Sequence, residues 1–149
     1  MPAFLLDTSC MIAAVCSWHV HHSRASAEIE RRLQRRERML VAAPALIEAY
    51  AVLTRLPAPH RLSPSDALSL LEANFLQAGK TVALSSESYS ALLRQAPANG
   101  IAGGRSYDAV IAYCAAQTRA SALLTFNETD FAWARTLGIE VIVPPAPIT

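Results

Sequence analysis

Five short apolar runs punctuate the chain, at residues 3–6, 39–43, 81–84, 122–125 and 140–143, and residues patterned for helix separate them. The first, Ala3-Phe4-Leu5-Leu6, is apolar at every position and suits a strand buried on both faces, as in a parallel sheet covered by helices. The alternation therefore predicts an α/β fold: a three-layer sandwich with a central parallel sheet, helices on both faces and right-handed crossovers. The 149 residues fit one such domain, spanning 1–149. Folding at that size buries roughly 70% of the surface an unfolded chain exposes. With 52% hydrophobic and 17% charged residues there is enough apolar material for one core, and disorder is excluded.

Helix signals lie where the crossovers need them. Asp7, Thr8 or Ser9 can cap a helix that leaves the first strand. Residues 22–38 place Ala25, Ile29 and Leu33 four apart among many charges, predicting an amphipathic helix with one narrow buried stripe. Pro44 suits the first turn of a helix reaching to about Arg55. Ser63-Pro64-Ser65-Asp66 opens the next with a cap, an early proline and an acidic first turn, and Gly79 ends it. Further helices are expected at 86–95, 105–118 and 129–137, with a loop rich in breakers at 96–104. Pro144 and Pro145 stop the sheet.

A net charge of +1 neither demands nor excludes a polyanionic partner. Cys10, Cys16 and Cys114 are odd in number and sit in apolar stretches, so buried, reduced thiols are expected rather than a disulfide frame or zinc knuckle. No apolar run reaches the roughly 18 residues of a membrane helix. The apolar N-terminus lacks a basic leader and meets Asp7 too early for a signal sequence, so a cytoplasmic protein is expected.

The acidic residues carry the functional information. Glu48 is embedded in Ala45-Leu46-Ile47-Glu48-Ala49-Tyr50-Ala51-Val52-Leu53, with apolar neighbours in nearly every helical direction, and is expected to be buried. Asp108 repeats the pattern in Tyr107-Asp108-Ala109-Val110-Ile111-Ala112-Tyr113, and Asp7 ends a buried strand. An isolated buried carboxylate costs on the order of several kcal/mol unless a cation or donors offset it. Open parallel sheets bind ligands outside the carboxyl ends of their strands, where Asp7 and, past the fourth strand, Asn127 and Asp130 project. Helices packed on that edge can send Glu48 and Asp108 to the same place. Clustered carboxylates repel one another, so such a cluster calls for a cation, and oxygen donors without His or Cys select Mg²⁺ or Mn²⁺. A water activated by such an ion suits phosphodiester hydrolysis and needs no Ser-His-Asp or Cys-His set.

Four motifs, Leu5-Leu6-Asp7-Thr8-Ser9, Pro44-Ala45-Leu46-Ile47-Glu48-Ala49-Tyr50, Tyr107-Asp108-Ala109-Val110-Ile111-Ala112 and Leu123-Leu124-Thr125-Phe126-Asn127-Glu128-Thr129-Asp130-Phe131, together resemble the PIN domain. More narrowly, they resemble the toxin half of bacterial VapBC toxin–antitoxin pairs. The resemblance covers the whole chain. It implies a Mg²⁺- or Mn²⁺-dependent endoribonuclease that cuts RNA, is held inactive by a small antitoxin protein and forms homodimers. By the same resemblance Asp7, Glu48 and Asp108 match the family's acidic positions, and Thr8 or Ser9 and Thr125 match hydroxyls that support the site. Where many relatives carry an aspartate this chain has Asn127, leaving Asp130 as the only aspartate of that motif and the fourth ligand open between them.

Plainer roles compete for several of these residues. Asp7 can simply cap a helix, and Asn127 with Asp130 is an ordinary capping arrangement. Arg31, Arg32, Arg35, Arg36 and Arg38, interleaved with Glu28, Glu30 and Glu37, read as a solvated face of ion pairs rather than an RNA contact. His19, His21 and His22 lack companion ligands and read as loop or helix-start residues. Trp18, Trp133, Tyr50 and Tyr113 are too scattered for a base-stacking platform and read as core or dimer contacts. Arg105 either holds a phosphate near Asp108 or caps its loop.

Two other functions fit part of the pattern. A phosphoacceptor or phosphatase-like domain needs a second acid close to its nucleophilic aspartate and a late lysine, but Lys80 is the only lysine and precedes a middle strand. A non-catalytic relative that binds RNA or protein would be free to replace Asp7, Glu48 and Asp108 with apolar residues.

Overall fold

The computed structural model describes residues 1–148. The apolar runs form strands β1 (Ala3–Leu6), β2 (Arg38–Ala42), β3 (Lys80–Val82), β4 (Ala122–Leu124) and β5 (Glu140–Ile142). They make one sheet in the order β3-β2-β1-β4-β5, with every neighbouring pair parallel. Successive side chains of a strand point to opposite faces. Phe4, Leu5 and Leu6 of β1, Leu40 and Val41 of β2, and all of β4 are nonetheless buried, so both faces are covered.

From β1 the chain moves to β2 and β3, then returns across the sheet to β4 and β5. Right-handed crossovers send the helices of the outward journey to one face and those of the return to the other. The first group is α1 (Thr8–Val15), α2 (His22–Gln34), α3 (Ala43–Arg55) and α4 (Pro64–Leu71). The second is α5 (Ser86–Gln95), α6 (Arg105–Gln117) and α7 (Glu128–Phe131). Accordingly α1 packs on α2 and α3, while α5 and α7 both pack on α6. The reversal falls between β1 and β4, so their carboxyl ends frame the crevice at this topological switch point.

The predicted α/β architecture is borne out, with element ends displaced by a few residues. Helix α4 runs on as a π-helical turn, Glu72–Leu76, before Gly79 brings the chain against β2. A Cβ at Gly79 would stand only 3.0 Å from the Phe75 carbonyl oxygen and 3.2 Å from that of Met39, which is why glycine suits this approach. Helix α7 continues as a 3₁₀ turn, Ala132–Leu137, closed by Gly138 in the left-handed region at φ 82°. The three cysteines are free and buried, as expected. No helix among the described residues is long and apolar enough to cross a membrane.

Helix α2 departs from expectation. Its buried residues are Ala25, Glu28 and Arg32, whereas Ile29 is half-buried and Leu33 is 40% exposed. Arg32 donates to Glu37 at 2.9 Å and lays its guanidinium over the Phe4 ring at 5.7 Å, while Glu28 accepts from Arg31. Part of the basic run is therefore a buried ion-pair network, because a paired guanidinium with an apolar stem packs where an unpaired charge cannot. Arg31, Arg35, Arg36 and Arg38 keep the expected solvated positions. Arg32→Ala, which leaves the buried Glu37 carboxylate only the longer 3.8 Å contact with Arg35, is expected to lower unfolding free energy by about 3 kcal/mol in urea titration. An unchanged midpoint would show that the pair contributes nothing to stability.

Candidate active site

Because Leu6 pairs with Leu124, the residues that follow them leave the sheet side by side. The Asp7 amide donates to the Leu124 carbonyl at 3.0 Å, and the Thr125 hydroxyl donates to the Asp7 carboxylate at 2.5 Å. Asp7 also caps α1, accepting from the Cys10 amide at 2.9 Å, and its same oxygen takes the Ser9 hydroxyl at 2.7 Å. The capping role is thus real, yet it coexists with a place in the cleft wall. Ser9 Oγ accepts from the Phe126 amide at 3.1 Å, and Thr125 Oγ1 from the Asn127 amide at 2.9 Å. These bonds tie the turn after β4 to the start of α1.

The cleft at this junction has a volume of about 410 Å³ and is lined by Asp7, Thr8, Ser9, Glu48, Asp108 and Asn127, among others. Glu48 enters from α3 and accepts from the Thr8 hydroxyl at 3.3 Å. Asp108 enters from the first turn of α6 and is half-buried. Residues that the sequence scatters over the chain are therefore gathered on one cleft. Asn127 sits at the start of α7 but makes no capping bond with its side chain, so the expected capping role is not realised. Asp130 is exposed and stands outside the cleft wall.

Glu48 corrects the expectation of burial: it is exposed, as is its neighbour Ile47 at 72%. Only Ala45, Leu46, Ala49 and Leu53 of α3 are buried. The apolar residues around Glu48 are a surface feature rather than a wall that keeps water out. Of Asp7, Glu48, Asp108 and Asp130, Asp7 alone is fully buried, 2% exposed.

Charge couples these groups. Burial pushes the Asp7 carboxyl up from its ordinary value, against the hydrogen bonds of Thr125, Cys10 and Ser9. Asp108 is pushed up to about 6, first by burial and then by the negative charges of Asp130, Asp7 and Glu48, with Arg105 opposing. None of these four acids forms an ion pair among the described residues. Nor do three His, Cys, Asp or Glu groups among those residues stand close enough to make a ready-formed metal cage. The donor set itself fits a hard, hydrated divalent ion. It offers carboxylate, amide and hydroxyl oxygens with an unbalanced negative field, and Mg²⁺ in particular keeps several of its waters.

Two residues that the sequence reading set aside as loop or helix-start residues stand in the cleft. His19 and His21 line its wall, carried there by the loop between α1 and α2. Burial, then the neighbouring His21 and His22, hold the His19 imidazole below its ordinary value. Their closeness in sequence was visible, but not the fold of the loop that turns them inward.

An all-parallel α/β domain with an acidic, oxygen-lined cleft at its switch point defines the class of protein to which this structure belongs. The sequence profile of the PIN domain matches residues 4–135. Ribonuclease VapC27 of Mycobacterium tuberculosis is 34% identical over 142 residues, covering 95% of this chain and 97% of that protein. Ribonuclease VapC40 of the same organism is 32% identical over 109 residues, covering 73% and 75%. In the DNA-bound VapBC structure from Salmonella typhimurium, one chain matches with a TM-score of 0.68 and 21% identity over 97% of this chain and all of that one, a likeness of fold. The chain belongs to the PIN domain family.

The raised value of Asp108 has a consequence for stability. Between its ordinary 3.8 and about 6 the folded chain holds a proton that the unfolded chain releases. That stabilisation is complete in acid and is lost as pH rises through 6, leaving a repelled charge at neutral pH. Asp108→Asn removes the charge throughout. It is expected to raise the melting temperature of the metal-free chain by a few degrees at neutral pH, with the gain fading towards pH 4. Thermal melts showing a loss at neutral pH, or an equal gain in acid, would contradict this origin.

Proposed function

We propose that the chain is a divalent-metal-dependent endoribonuclease, the toxin of a toxin–antitoxin pair, with Asp7, Glu48 and Asp108 as its metal-binding acids. The observation that carries the proposal is electrostatic: three acids, only partly offset by Arg105, act on one half-buried carboxyl at a cleft whose acidic side is lined by carboxylate, amide and hydroxyl oxygens. Kinship with proteins named ribonucleases supports the choice of substrate.

A bound Mg²⁺ or Mn²⁺ would supply an activated water and a hold on a phosphate oxygen. The protein's own residues do the positioning. Asp7 is locked by donors on both of its oxygens, so its direction is set before any ligand arrives. Thr8 steadies Glu48, and Ser9 and Thr125 hold the turn that carries Asn127. Asn127 lines the cleft with a side-chain amide that can accept from water or donate to a phosphate oxygen. Asp130 acts on Asp108 from outside the wall. In this proposal Asn127 is the fourth cleft group and Asp130 adjusts the field.

The exposed Ile47, Tyr50 and Tyr107 form apolar surface that a protein partner, a small antitoxin or a second copy, would cover. A groove beside the cleft, along Pro44, Ile47, Ala51, Tyr107 and Val110, shares Glu48 and Ile111 with it, so a protein seated there would stand over the acids. The phosphatase-like alternative gains nothing, because Lys80 is exposed on edge strand β3, two strands away from Asp7.

RNA cleavage in Mg²⁺ or Mn²⁺ is expected to stop in chelator and to fall at least about 100-fold in Asp7→Asn, Glu48→Gln and Asp108→Asn. Variants that cut as fast as the parent would contradict the assignment. In the same assay Asn127→Ala is expected to cost more than Asp130→Asn. The reverse order would move the fourth position to Asp130.

A further inference from the structure

A line of rings leads out of the acidic cleft. Phe126, in the cleft wall beside Asn127, carries the His21 imidazole stacked on it at 4.4 Å between centroids. His19 follows at 5.7 Å from His21, and Trp18 at 5.9 Å from His19. Trp18 in turn stacks on His60 at 4.1 Å, with their planes 23° apart. Three separate segments supply these rings: the turn after β4, the loop between α1 and α2, and the loop between α3 and α4. Trp18 is 46% exposed and His60 is exposed, so the outer end of the line presents ring area to solvent.

We propose that the exposed outer end of this line is a stacking track for single-stranded RNA, with Trp18 as the principal base platform outside the cleft and the inner rings, stacked on one another, holding it in place. The inference rests on the ribonuclease reading and deepens it. A cleft rich in carboxylates repels a phosphate backbone, and a net charge of +1 gives little long-range attraction to offset that. A substrate strand therefore needs a hold that does not depend on charge, placed beside the acids. Every base has a π face, and stacking on an aromatic side chain contributes about 1–3 kcal/mol per base. One guanidinium borders the inner rings. Arg24 lies over Phe126 at 5.3 Å, and Arg61, next to His60 in the chain, is anchored by its Nε to the Leu56 carbonyl at 2.8 Å. An RNA base is the occupant argued for because flat ring area stands beside a cleft that takes RNA on this reading. The aliphatic surface suited to an apolar protein segment lies in the adjoining groove, along Ile47, Ala51 and Val110.

The test reads binding and cutting separately. In an Asp108→Asn, Trp133→Phe background, Trp18 is the sole tryptophan. Titration with a single-stranded oligoribonucleotide in Mg²⁺ is expected to quench its fluorescence, and an oligomer with abasic sites is expected to quench it less. In the Asp108→Asn background, Trp18→Leu, which keeps apolar bulk without a π face, is expected to raise Kd about tenfold, and Trp18→Phe to restore most of the affinity. In the cutting enzyme the same substitution should act on KM rather than kcat. An unchanged Kd and KM in Trp18→Leu, in a chain that still cuts RNA, would overturn the track alone. So would loss of binding to a co-purified protein partner with RNA affinity intact, which would give the surface to protein. A chain that neither binds nor cuts RNA would overturn the ribonuclease reading and the track together.

Discussion

The hydrogen bond from Thr125 to Asp7 joins the carboxyl ends of β1 and β4 at the one place where this sheet opens a crevice. Its length, 2.5 Å, and the burial of both residues mark a charge-assisted bond in a low-dielectric setting. The bonds through Ser9 to Phe126 and through Thr125 to Asn127 depend on it. Together they turn two strand ends into one rigid wall, against which α3 and α6 bring Glu48 and Asp108. Catalytic groups of this kind gain from such prior fixing, because no reorganisation is then needed when charge develops in the reaction.

The sheet was legible in the sequence because its central strands β1 and β4 are covered on both faces and so are apolar throughout, while edge strand β3 leaves Lys80 and Thr81 exposed. No helix of this chain produces runs so short and uniform. Asp7 was legible for a related reason, since an acid directly after a buried strand stands out against its context. Glu48 was found by its spacing but misjudged in its surroundings. Composition cannot distinguish apolar neighbours that are buried from ones such as Ile47 and Tyr50 that lie open on the surface. The stripe on α2 failed in the opposite way, because Arg32, paired with Glu37, and Glu28, paired with Arg31, are buried on this helix while Leu33 lies 40% exposed. The ring line was illegible, since Trp18, His60 and Phe126 meet only through the relative placement of three loops.

Two opposing demands shape the cleft. Gathering Asp7, Glu48, Asp108 and Asp130 costs stability, visible in Asp108, whose proton is held up to about pH 6. On the proposed function that cost is what gives a divalent ion its affinity, since the ion removes the repulsion as it binds. The same field disfavours a polyanionic substrate until the ion is in place, which would make metal and RNA binding mutually supportive.

Anomalous scattering from crystals grown in Mn²⁺ tests the central claim directly. The account predicts one or more manganese peaks inside the cleft, with carboxylate oxygens of Asp7, Glu48 and Asp108 turned towards them either directly or through a water. A map with manganese only at sites away from these residues, or with the three acids paired to arginines instead, would contradict it.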